Sequence, residues 1–187
     1  MRADRRKIRW GIRQERISMV LRRETSMSLP KIKEFLDSHQ IKYVVISHSV
    51  AYTAAGIAGL THIPGRELAK TVIVKLDGTL AMAVVSASQR VDLAFLKAAT
   101  GAKSVDLASE NEFKERFPDC EVGAMPPFGN LYGMAVFADQ SLALDKEIAF
   151  NAGSHRELVR LAWEDFERLV QPRLIRVAAG NRAAEAA

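Results

Sequence analysis

The apolar positions of this chain fall into two rhythms, and the change from one to the other marks its elements. Ile32, Phe35 and Leu36 recur at the spacing of one helix face, behind Ser28, which can cap exposed N–H groups, and Pro30, which a first turn tolerates. A helix is predicted from Ser28 to about Ser38. Tyr43 to Ile46 is β-branched or aromatic and predicts a short buried strand ending at Ser47 and His48. Thr53 can cap an Ala-rich helix from Ala54 to Leu60, after which His62-Ile63-Pro64-Gly65 breaks the chain. Val72, Val74 and Leu76 alternate and predict a strand over 70–76, and Asp77-Gly78 predicts a tight hairpin into a second strand over 80–86.

Further on, Val91, Leu93 and Leu96 predict a helix over 91–99, and Ser109 caps another over 110–117. Strands are expected over 131–138, 147–151 and 157–161, with turns at Asp139-Gln140-Ser141 and Gly153-Ser154-His155. A helix over 163–169 and a short strand over 174–177 close the pattern. Strand pairs joined by hairpins and interspersed with helices predict a single α+β domain. Its sheet is expected to be mixed, mostly antiparallel and partly barrel-like, flanked by helices.

Composition changes this picture only at the N-terminus. The 187 residues, 48% apolar and 26% charged, suit one soluble domain that can bury a single core. The longest apolar run, around Leu80 to Ala87, falls well short of the roughly 18 residues that span a bilayer. Cys120 is the one cysteine, which excludes an internal disulfide and suits a reducing compartment. Residues 1–26 hold eight Arg and one Lys against Asp4, Glu15 and Glu24, while the other 161 residues carry 18 basic and 19 acidic groups. The basicity therefore belongs to the first segment and the body is close to neutral. That segment reads as a nucleic-acid-binding arm, an amphipathic surface helix, or an unstructured extension ahead of a start at Met27, and the last is preferred. The expected division is a disordered basic extension over 1–26, a folded domain over 27–178 and a disordered tail over 179–187.

One stretch can be neither helix nor central strand. In Gly123-Ala124-Met125-Pro126-Pro127-Phe128-Gly129, two glycines permit unusual backbone angles and two prolines fix φ and remove donors. The result is a stiff loop whose remaining N–H groups can face a ligand and whose small residues can size a pocket. An ordinary connecting turn is the plainer reading. Familiar site motifs are missing: there is no Gly-x-Gly-x-x-Gly, and Gly65 to Lys70 has Ala69 where a phosphate-binding loop needs glycine. Gly-x-Ser-x-Gly is absent, and His39, His48, His62 and His155 lack metal-ligand spacing.

Five short segments occur in a telling order. They are His48-Ser49-Val50-Ala51-Tyr52-Thr53, Ala69-Lys70-Thr71, Gly123-Ala124-Met125-Pro126-Pro127, Asp139, and Asn151-Ala152-Gly153-Ser154-His155. This set resembles the YbaK/EbsC-type family of free-standing aminoacyl-tRNA deacylases, whose fold also occurs as the editing domain of bacterial prolyl-tRNA synthetases. The likeness spans roughly residues 29–177. It implies trans-editing: hydrolysis of the ester of a mischarged tRNA carrying a small amino acid, without metal or other cofactor, in the cytoplasm. It further implies that Lys70 is the central catalytic residue and that Gly123, Ala124, Met125, Pro126 and Pro127 line the aminoacyl pocket.

The other candidates rest on chemistry at matching positions. His48 and His155 can bond the ribose or the substrate amine, or be merely solvated. Tyr52 and Thr53 can border the pocket mouth, Thr53 equally as a helix cap. Asn151, Gly153 and Ser154 can fix their turn or touch substrate, and Asp139 caps the turn that follows it. Met125 can trim the cavity or point into the core. Lys70 alone would read as a solvated strand-end lysine. The partner implied is the tRNA 3′ end, with a synthetase as a second. The competing reading is a non-catalytic module that binds a tRNA end or a synthetase on the same fold.

Overall fold

The Asp77-Gly78 turn anchors the sheet. Asp77 and Gly78 take φ values of 49° and 81°, the double positive φ that a two-residue hairpin turn needs. In chain order the strands are β1 (Tyr43–Ser47), β2 (Leu68–Leu76), β3 (Thr79–Ser86), β4 (Val105–Leu107), β5 (Ala135–Asp139), β6 (Glu147–Ser154), β7 (Glu157–Ala162) and β8 (Arg173–Ile175). The helices are α1 (Ser28–Ser38), α2 (Leu93–Thr100), α3 (Glu110–Phe113) and α4 (Trp163–Val170). These come from a computed structural model that describes residues 28–51, 56, 59, 61 and 63–178.

The sheet runs β1-β7-β6-β2-β3-β5-β8, with β4 beside β2, in an open half-barrel. β2 pairs in parallel with β6, β3 with β5 and β5 with β8, and the other neighbours are antiparallel. The expected α+β class with a mixed, mostly antiparallel sheet is borne out.

Both faces of the central strands are covered, which is why β3 reads as a continuous apolar run. Met82 and Val84 face the main core with Ile73, Phe150 and Val159, closed by Ile32 and Leu36 of α1 and Phe166 of α4. Ala81, Ala83 and Val85 face Leu96 of α2, Val74 and Phe137 on the other side. Phe128 sits at the centre of the main core, its ring 5.4 Å from Phe150, 5.6 Å from Phe166 and 5.9 Å from Phe35. Complete burial of such a ring contributes about 1.5–3 kcal/mol. It also nails the end of the proline loop to the core.

Several boundaries move. The strand expected over 131–138 begins only at Ala135, because Gly129–Leu131 forms a 3-10 turn and Gly133 takes φ 66°. Gly129 is irreplaceable in that turn, since an added Cβ would collide with the Met134 carbonyl and the Val136 side chain. The turn expected at Gly153-Ser154-His155 sits instead at His155 and Arg156, and Gly153 and Ser154 belong to β6. Gly153, at φ 97°, marks an irregularity in the β6–β7 register rather than a reversal of the chain. The helix over 110–117 is α3 followed by a 3-10 turn at Lys114–Arg116. β1 is a half-buried edge strand rather than a buried one. Asp92, not anticipated, caps α2 by accepting the N–H groups of Ala94 and Phe95.

The extension over 1–26, the tail over 179–187, Tyr52, Thr53 and His62 lie outside the described residues, as do the side chains of Ser28 and Pro30. Of the helix expected over 54–60, only Gly56 and Gly59 are described, and both are helical. Among the described residues no helix is long and apolar enough to cross a membrane. None of their His, Cys, Asp and Glu side chains form a group of three or more that could hold a metal.

Candidate active site

The site starts from a split in the sheet. The outer edge of β2 pairs with β6 at Leu68 and Ala69, then with β4 from Val74 to Leu76. Between these partners, around Lys70 to Ile73, β6 no longer accompanies β2. The proline loop takes up the partnership at β6. Gly153 donates its N–H to the Ala124 carbonyl at 2.9 Å, and Glu121 donates its N–H to the Gly153 carbonyl at 2.9 Å. Lys70 stands one residue beyond the Ala69–Phe150 pair and Gly153 three beyond Phe150, on strands running the same way. That offset of two residues is about 7 Å along the strands.

The second fastening comes from His155. Its N–H donates to the Glu121 carboxylate at 2.7 Å, and its ring Nε2 lies 2.9 Å from the Val122 carbonyl. A carbonyl only accepts, so Nε2 carries the proton and the tautomer is fixed. The ring lies beside the loop, its Cε1 3.5 Å from where a Cβ on Gly123 would sit. Gly123 itself takes φ 87°, which a side chain would strain.

Among the described residues one N–H of the loop makes a backbone bond. The Ala124 N–H goes to the Glu121 carbonyl at 3.0 Å, and the prolines have none. Among the described residues the Gly123 N–H meets only the Met125 thioether sulfur, at 3.2 Å, a weak acceptor. Met125 is 5% exposed in the main core, so it braces the loop from inside rather than standing open on a cavity. Pro126 and Pro127 are likewise buried.

A cleft of about 330 Å³ opens beside this assembly, lined by Val50, Glu121, Val122, His155 and Arg156. Val50 and Val122 are exposed apolar residues on its walls. Lys70 does not line it. The Lys70 amine leans back along β2 to the Ala87 carbonyl at 3.3 Å, its one hydrogen bond among the described residues, which leaves two N–H donors for a ligand. Burial, and next the charge of Arg90, hold its pKa below the ordinary lysine value. The Arg90 charge acts on the lysine and, among the described residues, no carboxylate is bonded to it, so this corner favours an anion.

His48 lies just past β1, its N–H on the Arg156 carbonyl at 2.9 Å and its Nδ1 2.7 Å from the Ser49 carbonyl. Nδ1 is therefore the protonated nitrogen, and among the described residues neither the buried Nε2 nor the buried Oδ1 of Asn151 has a partner. Side-chain alternation puts Asn151 on the sheet face of Lys70, beside the cluster of Ile63, Leu68, Ala149 and Leu158. Ser154 is tied into its own turn through Arg156 N–H and Glu157. Asp139 works away from the cleft: burial pushes its carboxyl up, but hydrogen bonds from Ser141, Ala178 and Val177 outweigh that and hold it below the ordinary value.

The structure thus brings Gly123, Ala124, Gly153 and His155 into one bonded unit, with Lys70 and Asn151 on the strands next to it. Glu121, Val50, Arg156 and Arg90 were not anticipated. Val50 and Glu121 carried a signal, the first inside a matching segment and the second as the last polar residue before the glycine loop.

A family model described as the aminoacyl-tRNA editing domain matches residues 48–169. The chain is 28% identical over 155 residues to the multifunctional Ser/Thr-tRNA deacylase ProXp-y of Escherichia coli (strain K12), covering 80% of this chain and 92% of that protein. It is 30% identical over 87 residues to a proline--tRNA ligase of Bacillus mycoides (strain KBAB4), covering 46% of this chain and 15% of the ligase. A solved structure described as a candidate trans-editing enzyme for prolyl tRNA synthetase superposes with a TM-score of 0.73 at 19% identity, over 84% of this chain and all of that one.

Proposed function

Because this chain belongs to the aminoacyl-tRNA editing domain family, we propose that it is a trans-acting deacylase that hydrolyses mischarged tRNA bearing a small amino acid. Water oxygen bonds to the ester carbonyl carbon, the bond to the terminal ribose oxygen breaks, and that oxygen leaves with a proton. The ribose oxygen of such an ester departs more readily than the nitrogen of an amide. The protein therefore needs to place the substrate and stabilise the tetrahedral oxyanion. One such donor is typically worth about 10²–10³ in rate.

The observation that carries this reading is the backbone splice between Gly153 and Ala124. It fixes the proline loop, and with it the Gly123 N–H, before any substrate arrives. Gly123, held only by a thioether, is the donor assigned to the oxyanion. Lys70 is assigned to the terminal phosphate or a ribose oxygen, as a compact cation with donors to spare. His155 holds the loop, and His48 and Asn151 offer acceptors to the ribose hydroxyls or the amine. The substrate is the 3′ end of a tRNA, the cellular setting is the cytoplasm, and a synthetase is the natural source of the mischarged product. Serine and threonine, named for the Escherichia coli relative, fall within the small class proposed.

The test is a panel of tRNAs mischarged with alanine, cysteine, serine and threonine, followed by loss of ester-linked label. At least one is cleaved faster than it decays spontaneously. If none is, and the protein still binds the tRNA end, the fold serves as a binding module instead.

A further inference from the structure

We infer that Glu121 is the receptor for the substrate's α-ammonium group, an inference that rests on the deacylase reading above. Glu121 lines the cleft with Val50, Val122, His155 and Arg156. One carboxylate oxygen, Oε2, is fixed by the His155 N–H at 2.7 Å, while the Glu121 N–H is fixed on the Gly153 carbonyl. Both ends of the residue are therefore held, and Oε1 is left for a ligand. Among the described residues Glu121 forms no ion pair, although the chain supplies Arg156 to the same cleft.

A preset carboxylate that forms no ion pair selects a cation with hydrogen-bond donors. In the ester of a small uncharged amino acid the α-ammonium is the only cation, and one carbon separates it from the carbonyl under attack. Glu121 is in turn two residues from Gly123; it holds the His155 N–H, and the His155 ring lies on the side of Gly123 where a Cβ would point. The oxyanion donor and the ammonium acceptor are thus spaced by the same short stretch of chain that would meet the two ends of an α-amino ester. The contact reads what all aminoacyl groups share. Choice among side chains falls to other walls of the site.

The experiment compares aminoacyl-tRNA with the matching α-hydroxyacyl-tRNA, in which a neutral hydroxyl replaces the ammonium. It uses the full chain and Glu121→Gln, which keeps an acceptor for the His155 N–H. Each rate is divided by the spontaneous rate of its own ester. Wild type is expected to favour the amino ester by about tenfold or more in kcat/KM, and Glu121→Gln to lose most of that preference, equally for alanyl and seryl esters. A variant that slows both esters alike, or neither, overturns the assignment and leaves Glu121 as a fastener of the turn. Wild type that cleaves neither ester overturns the deacylase reading itself, and the assignment with it.

Discussion

The N–H of Gly153 and the carbonyl of Ala124 meet at 2.9 Å and join the irregular end of β6 to the proline loop. Gly153 can serve there because it holds φ 97°. Gly153→Ala should strain that backbone by about 1–3 kcal/mol and displace the loop. Gly78→Ala makes a fair comparison, since Gly78 holds φ 81° at the far hairpin with open space around it. Both variants should lower Tm, by about 2–4 °C per kcal/mol. Only Gly153→Ala should cut deacylation, by about tenfold or more on the scale of a misplaced oxyanion donor. Equal losses of rate would detach the loop from the chemistry.

His155 holds the loop through its ring on the Val122 carbonyl and its backbone N–H on Glu121. His155→Ala removes the bond to the Val122 carbonyl, worth about 1 kcal/mol, and should lower kcat with little change in KM. Steady-state kinetics separate the two. A rise in KM at constant kcat would make the ring a substrate contact instead.

Lys70 should titrate below an ordinary lysine, because burial and then Arg90 disfavour its charged form. Its charge is therefore lost at lower pH than that of a solvent lysine. Arg90→Gln removes the second cause and should move the titration upward. The chemical shift of the Lys70 Cε carbon, followed against pH, reads this directly. A Lys70 that titrates with the surface lysines, or that ignores Arg90, would refute the paired-cation corner.

The opposite end of the hairpin gives a control. Glu112 is held down to about 2 by its hydrogen bond to Lys75 at 2.6 Å, then by Ser109. A depressed folded value means stability that is present above the unfolded carboxylate pKa of 4.5 and lost as pH falls towards 2. Glu112→Gln should flatten the fall in Tm across that window and leave deacylation at pH 7 unchanged. A change in deacylation would mean that this end of the sheet matters to the site.

How far the sequence foretold this arrangement depends on how local each cause is. The Asp77-Gly78 hairpin was legible because two adjacent residues dictate it. The proline loop was legible as a loop for the same reason. The late start of β5 was hidden, because it follows from Gly129 packing against Met134 and Val136 in three dimensions. Gly153 looked like a turn because glycine is common in turns, yet its positive φ serves a strand irregularity. The parallel pairing of Ala69 with Phe150 joins residues far apart in the chain, and no local pattern announces it. His155 therefore reads as a substrate contact or a solvated turn residue, and its fastening to Glu121 is hidden.

The most direct test is single-turnover hydrolysis of the best cleaved mischarged tRNA by wild type and by Lys70→Ala, with Tm measured on both. The account predicts that wild type cleaves the ester well above its spontaneous rate, and that Lys70→Ala falls to near that rate with its melting temperature almost unchanged. A Lys70→Ala protein that cleaves as fast as wild type would contradict it.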